Sequence, residues 1–285
     1  MDLKSRYESD GFIFPLTAMP AEQARFHRSG LEELEATHGV KAMPTRGYGN
    51  IAVDFIDEIT RLESILDPVS EILGPNLLVW GANLFVKEPQ TSHFVSWHQD
   101  LTYWGLDNTN EVTAWIALTD ANIENGCMKF VAGSHQQSIV EHRDTFSDHN
   151  LLSRGQEIAV EVDETQAVNV ELKPGQFSLH HGRMFHASSA NTSGDRRIGL
   201  AVRYISPDMA QSGKHPTMVR LVRGQDDYGH FESAPAPGGV LLVDDVARML
   251  RAEALQARYA YEGASQTGKR LRQSASAKPK KPGSK

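Results

Sequence analysis

His98 and Asp100 stand one residue apart in Ser96-Trp97-His98-Gln99-Asp100. A further histidine, His186, closes the downstream run Phe177-Ser178-Leu179-His180-His181-Gly182-Arg183-Met184-Phe185-His186. Two neutral imidazoles and one carboxylate suit a non-haem Fe(II) centre, because three such ligands fill one face of an octahedron and leave the other for a co-substrate and oxygen. In an extended strand alternate residues face the same side, so His98 and Asp100 are predicted to point together while Gln99 points away. Arg197 follows His186 by eleven residues, and its planar guanidinium is suited to clamp a dicarboxylate. His180 and His181 compete with His186 for the distal ligand position, and composition does not choose among the three. Against a chance pairing of surface groups stands the aromatic bulk around the motif, in Trp97, Tyr103 and Trp104.

The elements that must hold these groups are mainly β. Leu77–Trp80, Ala82–Val86, Val112–Leu118, Met128–Val131, Ala167–Leu172, Gln176–His180 and Ile198–Ile205 read as strands punctuated by Gly, Pro, Asn and Asp. Their spacing suits a sandwich or barrel of jelly-roll type over about 77–207 with helices flanking it, the class to which the double-stranded β-helix, a cupin-like core, belongs. Ahead of it, Gly11–Leu16 reads as a short strand, and Ala21–Ala36 as a helix stopped by Gly39. Asp57–Leu73 reads as a second helix that Pro68 bends or interrupts. His135–Gly155 is polar, weakly periodic and too long for a hairpin turn, the profile of a lid or binding segment. Val243–Tyr261 reads as a C-terminal helix. The expected organisation is one domain over 1–262, followed by a disordered basic tail over 263–285.

The 285 residues are 40% apolar, enough for a substantial core, and the net charge of −7 argues against nucleic acid as a partner. Seven basic and no acidic residues follow Glu262 (Lys269, Arg270, Arg272, Lys278, Lys280, Lys281 and Lys285), so the rest of the chain is more acidic than the total suggests. That tail lacks interleaved aromatics and an amphipathic face, and reads as a solubilising extension. Cys127 is the only cysteine, which excludes an intrachain disulfide and fits a small buried side chain. No secretory leader and no membrane-length apolar run is seen, so the expectation is a cytoplasmic protein acting on a small molecule, with no membrane partner and homo-oligomerisation left open.

From about Tyr7 to Tyr204 the chain resembles the phytanoyl-CoA dioxygenase family of Fe(II)/2-oxoglutarate oxygenases, which includes ectoine hydroxylase. The resemblance is carried by Ser9-Asp10-Gly11-Phe12, Trp97-His98-Gln99-Asp100, Asn125-Gly126-Cys127-Met128 and Val131-Ala132-Gly133-Ser134-His135. Its most specific part runs from Pro174-Gly175 through His186-Ala187-Ser188 to Ser193 and Arg196-Arg197. It implies that His98, Asp100 and His186 are the iron ligands and that Arg197 receives the distal carboxylate of 2-oxoglutarate. Ser188 and Asn83 fall where co-substrate contacts are expected. The rival to Arg197 is Arg196, which strand alternation sends to the opposite face. Halogenating relatives replace the carboxylate by a small residue; Asp100 is present, so oxygen transfer from O2, with release of succinate and carbon dioxide, is the implied outcome.

The substrate is expected to be a small polar metabolite rather than a long acyl-CoA, with an aminophosphonate or a quaternary ammonium compound as examples. Tyr103 and Trp104 could offer aromatic faces to a cation. Arg46, Tyr48 and Asn50, in a Gly-loosened loop, are candidates for an anion, with Arg183 and Lys129 as further ones. The alternative function is a cupin-like metal-binding protein, a sensor or isomerase without oxygenase activity, for which Arg197 would have no use. A zinc hydrolase is disfavoured because its histidine-dense motifs are missing.

Overall fold

Strand-forming residues concentrate between Leu77 and Arg223, and their alternation decides what each sheet face does. A computed structural model describes residues 2–39, 47–213, 215–262 and 264–265. In chain order the strands are β1 (Phe12–Thr17), β2 (Leu77–Lys87), β3 (Val95–His98), β4 (Glu111–Ala117), β5 (Met128–Val131), β6 (His142–Asp144) and β7 (Gln156–Ile158). They continue as β8 (Ala167–Val170), β9 (Gln176–His180), β10 (His186–Ser188), β11 (Arg197–Ile205), β12 (Met218–Arg223) and β13 (Glu232–Ser233). The major sheet has the order β1-β9-β4-β11-β2-β12-β13, the minor one β3-β10-β5-β8, and β6 pairs with β7. These are the two sheets of a jelly roll, as the sequence predicts, with ligand space between them.

One face of the major sheet makes the main core. Ile198, Leu200, Val202 and Tyr204 of β11, with Leu84 of β2 and Ile116 of β4, pack against Leu31, Ile56, Ile65 and Leu66. Those last four residues come from the helices α2 (Ala21–His38), α4 (Asp54–Thr60) and α5 (Glu63–Leu73), which follow α1 (Leu3–Asp10) and alternate with the short α3 (Gly49–Ala52). Each fully buried aliphatic side chain contributes about 1.5–3 kcal/mol of transfer free energy. The helix predicted over 57–73 is in fact two. The break lies at Arg61–Leu62, where Leu62 is extended (φ −63°, ψ 125°), whereas Pro68 sits inside α5. The final helix α6 spans Val243–Ala260, and no helix among the described residues is long and apolar enough to cross a membrane. The tail expectation over 263–285 lies outside the described residues, apart from Ala264 and Ser265.

The opposite face of the major sheet looks toward the minor sheet. Along β11 it presents Arg197, Gly199, Ala201 and Arg203, registered against Lys87, Phe85, Asn83 and Gly81 of β2. Gly199 has a steric reason: a Cβ built there would land inside the Trp115 indole. Its absence lets that ring lie flat across the strand. Gly199→Ala should therefore destabilise the fold by about 1–3 kcal/mol, read as a lower urea midpoint, and Trp115→Leu should relieve most of the loss in the double variant. Equal midpoints for Gly199→Ala and wild type would show that the indole does not pack there.

Candidate functional site

His98 and His186 meet because β3 and β10 pair antiparallel with these two residues opposite each other. Their ring centroids are 4.0 Å apart. The Nδ1 of His98 donates to the Ser96 carbonyl and that of His186 to the Met184 carbonyl, both at 2.9 Å. Because those carbonyls only accept, Nδ1 carries the proton and Nε2 keeps its lone pair for a ligand. Asp100 Oδ1 lies 3.3 Å from His98 Nε2. One ligand-capable atom from each of His98, Asp100 and His186 falls within 4.8 Å of the other two. Asp100 is not on the strand, as expected from alternation, but opens a 3₁₀ turn over Asp100–Tyr103. Gln99 does point away; its buried amide bonds Val140 N and the carbonyls of Ser138 and Arg183, anchoring the turn.

The charge states fit a divalent cation. Burial, with His98 close by, drives the His186 imidazole far below its usual range, so it is neutral. Burial pushes the Asp100 carboxyl up, but the neighbouring His98 and the Arg203 guanidinium outweigh this and hold it ionised. His180 also borders the cleft, with its centroid 5.0 Å from that of His186 and burial lowering it to about 4. His181 instead packs against Tyr7 and His135 and accepts from Arg183 N. The donor set of two unprotonated imidazole nitrogens and one carboxylate fits Fe(II).

A second feature of the cleft is a pair of basic side chains. Arg197 is 1% exposed and Lys87 0%, and they are direct cross-strand partners. Like charges directly opposite in a sheet destabilise it, and burial adds to the cost. Arg197 donates to the Gly126 carbonyl at 3.1 Å, its guanidinium lies 5.1 Å from the Trp115 ring centroid, and its Nε is unpartnered. Lys87 Nζ donates to Ser188 Oγ at 2.7 Å and to the carbonyls of Ser189 and Gly126. Burial and the adjacent Arg197 push Lys87 down to about 6. Arg196, one residue away, points to the other side and pairs with Glu35 and Glu88.

The triad, Arg197, Ser188 and Asn83 line one cleft. Tyr103, Trp104 and Tyr48 also line it. The aromatic faces are not free for a substrate cation. Arg203 lies over Trp104, whose ring also stacks on Trp80, and Arg154 lies over Tyr103. Tyr48 is no solvated loop residue: it is buried and its hydroxyl bonds Thr217 Oγ1 at 2.7 Å. Asn50 is buried in α3, away from the cleft, and Arg46 lies outside the described residues. Lys129 alternates away from Met128 and pairs with Glu164 at 3.0 Å, and Arg183 does not line the cleft. The polar segment over 135–155 supplies Leu151, Leu152 and Ser153 to the cleft wall. Arg154 ties it to α6 through the carbonyls of Ala260 and Glu262, both at 3.3 Å.

Sequence reasoning missed Lys87 and Arg203. Both carry a readable signal: Lys87 ends an otherwise uncharged eleven-residue strand, and Arg203 is six residues from Arg197, on the same strand face.

A family model for phytanoyl-CoA dioxygenase (PhyH) matches residues 10–199. Among curated proteins, the chain is 28% identical over 187 residues to a probable alpha-ketoglutarate-dependent hypophosphite dioxygenase of Stutzerimonas stutzeri, covering 65% of this chain and 61% of that protein. It is 26% identical over 230 residues to the L-proline trans-4-hydroxylase of Streptomyces griseoviridis, covering 72% and 85%. Among solved structures, the apo form of the non-heme monooxygenase ThoJ superposes with a TM-score of 0.80 at 32% identity, covering 92% of this chain and 98% of that one.

The buried Lys87 has a consequence for stability. Its folded pKa of about 6 lies below the ordinary 10.5, so between those values the unfolded chain binds the extra proton and stability rises with pH. The contribution should be on the order of 2 kcal/mol between pH 7 and pH 9. Lys87→Met should remove that part of the slope and raise the unfolding midpoint near pH 7; a variant with the wild-type slope would contradict the burial.

Proposed function

The chain belongs to the phytanoyl-CoA dioxygenase family, and we propose that it is an Fe(II)- and 2-oxoglutarate-dependent dioxygenase that hydroxylates a small polar metabolite. The observation that carries this reading is the pairing, in one cleft, of a His-Asp-His set with a buried arginine that faces a buried lysine without a carboxylate. A metal binder acting as sensor or isomerase has no use for that basic pair, whereas a keto diacid would use both features at once: its keto acid end at the metal, its distal carboxylate at the guanidinium.

In this reading His98 and His186 offer Nε2, Asp100 offers its carboxylate, and all three are oriented before the metal arrives. Arg197 holds the distal carboxylate through its fork, and Lys87 keeps Ser188 Oγ in place and takes up a proton when the carboxylate brings negative charge beside it. Bound Fe(II) with 2-oxoglutarate supplies the oxygen activation and oxidising power for C–H hydroxylation, with succinate and carbon dioxide as by-products. Trp115 and Phe85 border the cleft and exclude water from it. No side-chain general base is required. Residues 1–262 are proposed to act as one oxygenase unit.

For the substrate, the occupied faces of Tyr103 and Trp104 argue against a quaternary ammonium group, and the cleft's cations favour an anion such as an aminophosphonate. The hypophosphite named for one relative and the proline named for another are both small and polar.

Anaerobic addition of Fe(II) and 2-oxoglutarate should give the weak visible charge-transfer band of a chelated keto acid. His186→Ala and Asp100→Ala should abolish it, and Arg197→Leu should raise the 2-oxoglutarate needed for half-saturation by about 100-fold. Absence of the band from the wild type would favour the metal-binding alternative.

A further inference from the structure

Arg203 has no role in the chemistry just described, yet it stands in the same cleft. It lies on β11 six residues beyond Arg197 and on the same face, so the two guanidiniums are rooted roughly 20 Å apart along the strand, with the metal triad also bordering the cleft. Its Nη1 donates to Asn83 Oδ1, a neutral acceptor, and its Nε is buried without a partner. Its guanidinium carbon is 5.0 Å from the Trp104 ring centroid, and Trp104 in turn is braced by Trp80 at 4.9 Å. Among the described residues no carboxylate lies within ion-pair distance of Arg203; its charge is felt at Asp100, which the metal would claim. The result is a planar cation fixed by stacking and one amide on the wall of the cleft, with one hydrogen bond made and its Nε unpartnered.

We propose that Arg203 is the anchor for an oxyanion carried by the substrate, a carboxylate or phosphonate head, bound at the end of the cleft opposite Arg197. The substrate class is then a small anionic molecule whose uncharged carbon body reaches from Arg203 toward His98 and His186. Trp104 and Asn83 hold the guanidinium flat, which lowers the ordering cost of a two-pronged contact. Calling this ligand the substrate rests on the oxygenase reading; the binding itself does not.

Isobutyrate, methylphosphonate and, as a cation of similar size, choline are titrated separately into metal-free full-length protein while indole emission is followed. At least one oxyanion should bind wild type saturably, and the one that does names the head group; choline should not. Arg203→Gln should weaken that oxyanion by about 30-fold or more, while Arg197→Gln should leave it within about threefold. Arg203→Lys keeps the charge but not the fork and should lie between, near a tenfold loss; it decides the matter if the Gln variant does not fold. The proposal is overturned if wild type binds neither oxyanion, if choline binds in their place, if both Arg203 variants bind like wild type, or if the loss follows Arg197→Gln instead. Failure of the Fe(II) charge-transfer band with Arg203-dependent binding intact would remove the oxygenase reading and leave the anion site.

Discussion

Lys87 and Arg197 face each other across two strands, both buried, with only neutral acceptors to receive them. Nothing in folding alone favours that arrangement, because charging both groups costs hydration and sets like charges together, and Lys87 is pushed down to about 6 in consequence. In the proposed reading a dicarboxylate brings the missing negative charge, and the strand pair is suited to that bound state. The metal triad has the same character. Two imidazoles that present Nε2 lone pairs, and a carboxylate held ionised, form a cluster suited to a divalent cation. Stability is spent locally at the cleft, and the apolar core on the other face of the same sheet offsets it.

That division of labour is a product of strand periodicity. Along β11 the residues at even positions (Ile198, Leu200, Val202, Tyr204) pack on the helices, and those at odd positions face the other way, with Arg197, Ala201 and Arg203 lining the cleft and Gly199 beneath Trp115. A one-residue slip would bury Arg196 in its place and send Arg197 to the acids Glu35 and Glu88, so register specifies the chemistry as well as the fold. β3 and β10 act likewise, since pairing His98 with His186 is what brings imidazoles from two distant segments together.

Much of this was legible in the residues. The strands from Leu77 to Ile205 announce themselves by alternation and by the turn residues between them, and the triad by side-chain types that rarely coincide without purpose. What escaped was set by tertiary context. Lys87 closes an apolar strand, where a lysine reads as a solvated end, and its burial follows only from the β2–β11 pairing and the approach of Gly126. Asp100 was assigned to a strand because alternation also satisfied its geometry; the 3₁₀ turn is fixed by Gln99, whose partners lie some 40 and 84 residues away. Tyr103 and Trp104 were seen as aromatic walls, but no local signal revealed that Arg154 and Arg203 would cover them. The break between α4 and α5 missed Pro68 because a helix can absorb one lost hydrogen bond, while an extended Leu62 ends it outright.

The most direct test is anomalous diffraction at the iron edge from crystals grown and soaked without oxygen in Fe(II) and 2-oxoglutarate. The expected map has a single strong peak bonded to His98, Asp100 and His186, with keto acid density running from it to Arg197 and Lys87. A peak elsewhere, or a metal at the triad with the keto acid absent from the two cations, would contradict the account.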